Sequence, residues 1–170
     1  MRKERLPRGG GQVTNMILLV FSDSHGNPAF MQEMITRNRR ADAVIFLGDG
    51  QRDIELMRSL FPEIAFITVR GNCDFGSEVP VKEVLNLDGK RIFCTHGHYY
   101  NVKMGLYNVV CAAREEKADI LLFGHTHQAL CDYDDGLHIM NPGSASGYQP
   151  SCGVVEILPQ GILTNIIHRK

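Results

Sequence analysis

The sequence predicts an α/β protein, a four-layer α/β/β/α sandwich of two mixed β-sheets flanked by helices. Three observations carry this. Short apolar runs rich in branched residues alternate with helical patterns through the first half, as parallel strands joined by right-handed crossovers require. The second half changes rhythm to short strands and tight turns, among them Asp88-Gly89, a two-residue turn that reads as a β-hairpin. The 170 residues are 44% hydrophobic and 22% charged, a globular balance for about one domain that excludes a disordered or fibrous chain.

Met16 to Phe21 (MILLVF) is short and continuously apolar, as a strand buried on both faces should be. It stops at Ser22-Asp23-Ser24-His25-Gly26-Asn27-Pro28. Pro28 to Arg39 reads as a helix, with Pro28 in its first turn and Phe30, Met31, Met34 and Ile35 on its apolar face. Val44 to Leu47 is a second buried strand ending in Gly48-Asp49-Gly50. Gln51 to Leu60 is a second helix, and Ile64 to Val69 a strand ending in Arg70-Gly71-Asn72-Cys73-Asp74. Val81 to Leu87 and Lys90 to Thr95 flank the hairpin turn, and the second of them ends in His96-Gly97-His98. Lys103 to Lys117 reads as a helix, and Ile120 to Phe123 as a strand ending in Gly124-His125-Thr126-His127. Short strands follow at Ala129 to Tyr133, Leu137 to Met140, Gly153 to Leu158 and Ile162 to Ile167, separated by Asp134-Asp135-Gly136, Asn141-Pro142-Gly143-Ser144 and Pro159-Gln160-Gly161. No repeat or linker divides this run, so residues 16–170 are expected to form one domain. Residues 1–15, basic and Gly-rich, read as a disordered extension or a start-site artefact.

Eighteen Lys plus Arg against nineteen Asp plus Glu leave a net charge of −1, which gives no strong signal for nucleic acid or an anionic membrane. The six-residue run at Met16 is far short of the roughly 20 that a spanning helix needs. Cys73, Cys94, Cys111, Cys131 and Cys152 are odd in number, widely spaced and without a CxxC pair. A cytoplasmic protein with reduced thiols is therefore expected, with the last four cysteines as core or strand residues.

The functional signal is a coincidence of position. Five apolar strands end in Asp23/His25, Asp49, Asn72, His96 and His125/His127, and four of the seven histidines sit at such ends. The carboxyl ends of parallel strands share one edge of a sheet, where ligands bind. Carboxylates, imidazoles and one amide carbonyl suit first-row divalent ions, Mn²⁺, Ni²⁺, Fe²⁺, Co²⁺ or Zn²⁺; Mn²⁺ is the first guess for the activating ion, although affinity order alone favours the others. Seven donors exceed one tetrahedral site and would fill two that share a carboxylate. Each residue has a bland alternative: helix capping for Asp23 and Asp49, an Asx turn for Asn72, and solvent-facing strand ends for His125 and His127. Independent caps and turns do not explain why the histidines collect at strand ends.

Asp23-Ser24-His25, Gly48-Asp49, Gly71-Asn72-Cys73-Asp74, Thr95-His96-Gly97-His98 and Gly124-His125-Thr126-His127 together resemble the five ordered motifs of calcineurin-like metallophosphoesterases. The short chain, Cys73 after Asn72 and the Asn141-Pro142-Gly143-Ser144 turn are similar to the small bacterial and archaeal phosphodiesterase branch, which also includes the metallophosphoesterase-fold subunit of retromer. The resemblance spans Met16 to about Ile167. It implies that Asp23, His25 and His127 hold one divalent ion and that Asn72, His96 and His125 hold another, with Asp49 bridging. It further implies a dinuclear phosphohydrolase, most simply a phosphodiesterase acting on a small phosphate ester, with a metal-bridging hydroxide attacking phosphorus in line.

Asp49 and Asn72 are thus catalytic candidates as well as ligands. Cys73 stands where many relatives carry a leaving-group-protonating histidine, and a thiol is a poorer donor. Its role is doubtful, with a small buried filler as the bland alternative. His98 is a weaker candidate for the missing proton donor or for a hydrogen-bond partner behind the ligands. His138 and His168 lack motif context. A non-catalytic protein-binding scaffold on the same fold is the alternative function. A metallo-β-lactamase-like enzyme is disfavoured because its HxHxDH run is absent. Substrate identity and a homo-oligomeric state stay open.

Overall fold

In the computed structural model, which describes residues 15–169, the chain opens with β1 (Met16–Phe21), whose last four side chains are fully buried. Successive strand residues face opposite sides of the sheet, so each side needs its own cover. Leu19 and Phe21 cluster with Phe30, Met31 and Ile35 of α1 (Ala29–Arg37), Phe46 of β2 (Ala43–Phe46), and Ile54 and Met57 of α2 (Gln51–Leu60). Leu18, Val20 and Ile45 meet Ile92 and Cys94 of β5 (Lys90–Thr95), and Ile120 and Leu122 of β6 (Ile120–Leu122). On the far side of that second sheet, Phe93 and Leu121 pack with Val109 and Ala113 of α3 (Tyr107–Glu115). Helices, sheet, sheet and helix make up the expected four layers.

Both sheets are mixed and five-stranded. The first runs β10-β9-β1-β2-β3, with β3 (Ala65–Thr68), β9 (Ser151–Leu158) and β10 (Gly161–His168). Its β1, β2 and β3 are parallel, and β9 lies antiparallel against β1 with Leu19 opposite Val154. The second runs β4-β5-β6-β8-β7, with β4 (Lys82–Leu87), β7 (Leu130–Asp134) and β8 (Leu137–Asn141). Its centre, β5, β6 and β8, is parallel, while β4 and β7 return antiparallel at the edges.

The departures from the sequence reading are at element ends. The first helix stops at Arg37 rather than Arg39 because Asn38 leaves helical geometry and its side-chain amide donates to the Met34 carbonyl. The helix expected over Lys103 to Lys117 covers only Tyr107–Glu115. A 3₁₀ turn at His98–Tyr100 and positive φ angles at Asn101 and Gly105 occupy the ground before it, and Lys117 (φ 53°) closes it. Strands shift by a residue or two; Gly153 to Leu158, for example, is Ser151–Leu158.

No helix among the described residues is long and apolar enough to cross a membrane. The extension expected over residues 1–15 lies, Asn15 apart, outside the described residues. All five cysteines are free thiols. Cys94 and Cys152 are buried core residues, Cys131 is exposed on β7, and Cys111 is half-buried on α3 rather than in a strand.

Candidate metal centre

The chain leaves each central strand through a bend that few residue types tolerate. Asp23 (φ 56°), His25 (46°), Asp49 (62°), His125 (68°) and His127 (60°) all adopt the left-handed conformation. Asp and His enter it more readily than most residues, yet it costs an L-residue roughly 1–2 kcal/mol. Such strain persists where surrounding contacts hold it and gathers at functional sites. The holding contacts are visible. The Asp23 and His25 N–H groups donate to the Gly48 and Asp49 carbonyls, tying the β1 exit to the β2 exit. Gly124 N–H donates to the His96 carbonyl, tying β6 to β5, and His125 N–H donates to Asp23 Oδ2 (3.0 Å) across the two sheets. Gly71 and Gly124 have no alternative there: a Cβ on Gly71 would collide with Asp49 Oδ1, and one on Gly124 with Ser22 Oγ.

These bends bring seven side chains together from exits up to 104 residues apart. Asp23 Oδ1 lies 3.1 Å from His127 Nε2 and 3.6 Å from His25 Nε2, and the two imidazole nitrogens are 3.2 Å apart. His96 Nε2 lies 3.1 Å from Asn72 Oδ1, 3.1 Å from His125 Nδ1 and 3.3 Å from Asp49 Oδ2. Asp49 Oδ2 joins the two groups, being also 4.0 Å from His25 Nε2. Ligands bound about 2.1 Å from a first-row ion sit roughly 3.0–3.4 Å from their neighbours, the spacing within each group except for the wider Asp23–His25 pair at 3.6 Å.

The ring of His96 tests whether such ions fit. Its Nδ1 is 2.7 Å from the Leu47 carbonyl oxygen, which can only accept, so Nδ1 carries a proton and Nε2 is the nitrogen left to the cluster, where a proton and a metal ion compete for it. That nitrogen faces two oxygens, Asn72 Oδ1 and Asp49 Oδ2, that are themselves acceptors. His96 and Asp49 are buried there, so a proton on Nε2 or a bound cation must stand between nitrogen and oxygen.

The titration of the site follows. Burial opposes the charged form of Asp49, but its hydrogen bonds from His96 and from the Cys73 N–H hold the carboxyl well below the usual range. Burial likewise opposes charge on His96, yet the contact with Asp49 and the nearby Asp23 carboxylate outweigh it and raise its pKa. Burial, then the neighbouring His96, lowers His125 to about 4.

The bland alternatives for Asp23, Asp49, Asn72 and Cys73 do not match the geometry, whereas His127 does face solvent at a strand end. Neither Asp23 nor Asp49 caps a helix: α1 begins at Ala29 with no side-chain cap, and the N–H groups of Gly50 and Gln51 at the head of α2 donate to Asp74 Oδ1. Asn72 turns its oxygen to His96 rather than to its own backbone. Cys73 is exposed and not a buried filler; burial of its thiol, then Asp49, raises its pKa, so it stays a protonated thiol at neutral pH. His98 sits beside the cluster, its ring 5.4 Å from that of His96, but no hydrogen bond joins the two among the described residues, and its Nδ1 is buried without a partner. Its pKa is lowered, by burial first. His138, apart from the site, lies against Tyr133 with the two rings inclined at 60°, and His168 is exposed at the end of β10.

The supporting carboxylates escaped the sequence reading. Asp74 Oδ2 accepts from the N–H groups of Asp49 and Gly71 at 2.8 Å each, while Oδ1 takes those of Gly50 and Gln51. Asp53 accepts from Ser24 Oγ and from Gly26 N–H, shaping the His25 loop. Asn141 donates from Nδ2 to the Gly124 carbonyl and to Thr126 Oγ1, bracing the His125–His127 turn, and Ser144 Oγ donates to the Asp23 carbonyl. Asp74 stood within a quoted motif, but three of its four partners lie 23–25 residues away, where local sequence shows nothing.

Residues 16–158 match the calcineurin-like phosphoesterase superfamily domain, and the chain belongs to that family. It is 34% identical to a probable metallophosphoesterase, YsnB, of Bacillus subtilis over 131 residues, 76% of this chain and 75% of that one. It is 35% identical over 89 residues to the phosphodiesterase YfcE of Escherichia coli, 47% of this chain and 44% of that one. Among solved structures, vacuolar protein sorting 29 of Cryptosporidium parvum shares the fold, with a TM-score of 0.74 at 16% identity over 92% of this chain and 98% of that one.

Proposed function

We propose that this protein is a cytoplasmic phosphodiesterase that works with two divalent ions. Asp23, His25 and His127 would hold one, Asn72, His96 and His125 the other, and Asp49 would bridge them. The observation that carries this is the convergence on His96 Nε2, its ring held by the Leu47 carbonyl, of Asn72 Oδ1 and Asp49 Oδ2 at 3.1 and 3.3 Å. A nitrogen-rich donor set of this kind favours Mn²⁺, Ni²⁺, Fe²⁺, Co²⁺ or Zn²⁺ over Ca²⁺ or Mg²⁺; Mn²⁺ is the ion to try first, although affinity order alone favours the others. Bound there, such ions would supply an acidified water near neutral pH and positive charge against the phosphoryl oxygens.

The chain's own groups do the rest. Asp49, buried and ionised, keeps its lone pairs aimed between the two groups while its other oxygen accepts from the Cys73 N–H at 2.7 Å. Asn72, exposed at the mouth, places a carboxamide where a phosphate oxygen would arrive. With a protonated thiol at position 73 and His98 lowered in pKa, little help is available for protonating a leaving group. Esters of acidic alcohols should therefore turn over best. The phosphodiesterase name carried by YfcE supports diesters over monoesters.

The test is metal-stripped protein given each first-row ion and bis(p-nitrophenyl) phosphate. Turnover with Mn²⁺ is expected, together with a loss of about a hundredfold or more in Asp49→Asn, whose circular dichroism stays native. Silence with every ion overturns the proposal, and an undiminished rate in Asp49→Asn removes Asp49 from it. A stoichiometric protein partner without hydrolysis would favour the scaffold reading, which the fold shared with vacuolar protein sorting 29 supports.

A further inference from the structure

A cleft of about 970 Å³ opens from His25 and Asp49 and runs between the first turns of α2 and the loop over residues 73–79. Ligand pockets span roughly 300–1,000 Å³, so it has room for much more than a phosphate. Two of its carboxylates, Asp53 and Asp74, are already engaged by backbone N–H groups. Two features remain for a ligand. Phe75 leaves 91% of its surface exposed, an unused stacking face on the cleft wall. The outer wall sets one cation, Arg52, against Glu55 and Glu78, so it does not attract a second anion.

We propose that this cleft receives an uncharged, planar aromatic ester group of the substrate, a nucleobase or an aryl ring, stacked on Phe75. The assignment rests on the phosphodiesterase reading and narrows its substrate class, excluding simple alkyl diesters as preferred substrates. Stacking on an aromatic side chain tolerates any flat π-face, which suits a loop-borne phenyl ring with few directional neighbours.

Three esters sharing one leaving group separate the possibilities: methyl p-nitrophenyl phosphate, bis(p-nitrophenyl) phosphate and thymidine 5′-(p-nitrophenyl phosphate). With the Mn²⁺-loaded protein, KM for the two aromatic esters should lie on the order of tenfold below that of the methyl ester. Phe75→Ala should bring that ratio toward one, and Phe75→Tyr should restore it. A lower KM for the thymidine ester assigns the cleft to a nucleobase, and a lower KM for the bis-aryl ester assigns it to an aryl group. Equal KM values across the three, or a ratio indifferent to Phe75→Ala, overturn the proposal.

Absence of hydrolysis with every ester overturns the underlying phosphodiesterase reading instead, and a second readout then decides the cleft alone. The chain has no tryptophan, so Phe75→Trp installs a single indole. Saturable quenching of its fluorescence by thymidine 5′-phosphate, and none by methyl phosphate, is expected; no quenching by either overturns the assignment.

Discussion

His96 divides its two ring nitrogens between fold and site: Nδ1–H is spent on the Leu47 carbonyl, and Nε2 is left to the cluster. Without metal, a proton on Nε2 is the only positive charge the ring itself can offer to Asp49, and this is why its pKa lies above the ordinary 6.5. The stability that this proton contributes is complete below 6.5 and is lost as pH rises through the raised value. His125 runs the other way: lowered to about 4, its contribution is present above 6.5 and is lost as pH falls toward that value. The same proton competes with an ion for Nε2. Calorimetric titration should therefore show Mn²⁺ affinity weakening by up to about tenfold per pH unit below the His96 value, and His125 adding nothing until the medium is far more acid. An affinity flat between about pH 8 and 6 would remove His96 from the ligand set. Sequence pattern sufficed to mark His96, because a histidine closing an apolar strand is conspicuous. The carbonyl that fixes its tautomer is 49 residues away and leaves no trace beside it.

Elements hold these residues through backbone groups rather than through side-chain pairs. Asp74 is the clearest case, one carboxylate collecting four N–H donors from the β2 exit, the head of α2 and the β3 exit. Replacing it with alanine strands those donors, which water can reach only in part. Asp74→Ala should cost about 2–4 kcal/mol in urea unfolding of the metal-free protein and weaken Mn²⁺ binding by about 10–100-fold. A loss of stability with unchanged metal affinity would confine Asp74 to the fold. The elements themselves were largely legible. Strands buried on both faces write continuous apolar runs, as in Leu18–Phe21, and α1 shows its apolar face at Phe30, Met31, Met34 and Ile35. The start of α3 was not legible, because the residues before Tyr107 can extend a helix locally and are diverted by the 3₁₀ turn and by Gly105. Nor was the placing of β9 beside β1, since that pairing joins the two ends of the described chain and is settled by long-range burial of Val155 and Ile157.

Across the whole molecule, the site draws from both sheets. Asp23, His25, Asp49 and Asn72 leave β1, β2 and β3, while His96, His125 and His127 leave β5 and β6. Ion binding should thus stabilise the entire domain. At an ion concentration about a hundredfold over Kd the gain is about 2.7 kcal/mol. For a chain of this size that is a rise of roughly 5–10 °C in Tm, read by calorimetry with Mn²⁺ against chelator. His127→Ala should forfeit part of that rise, and an equal rise in wild type and variant would place the ion elsewhere. Apart from rim hydrogen bonds such as His125 N–H to Asp23 and His96 Nδ1–H to Leu47, the sheets meet through an apolar interior of side chains such as Leu18, Ile45, Ile92 and Leu122, which resists separation but offers little directional resistance to sliding. Ions seated at one rim of that interior would rivet the two plates together at a single margin. Chelation should accordingly release shear between them, loosening the molecule as a hinge loosens when its pin is drawn, while every ladder within each plate stays whole.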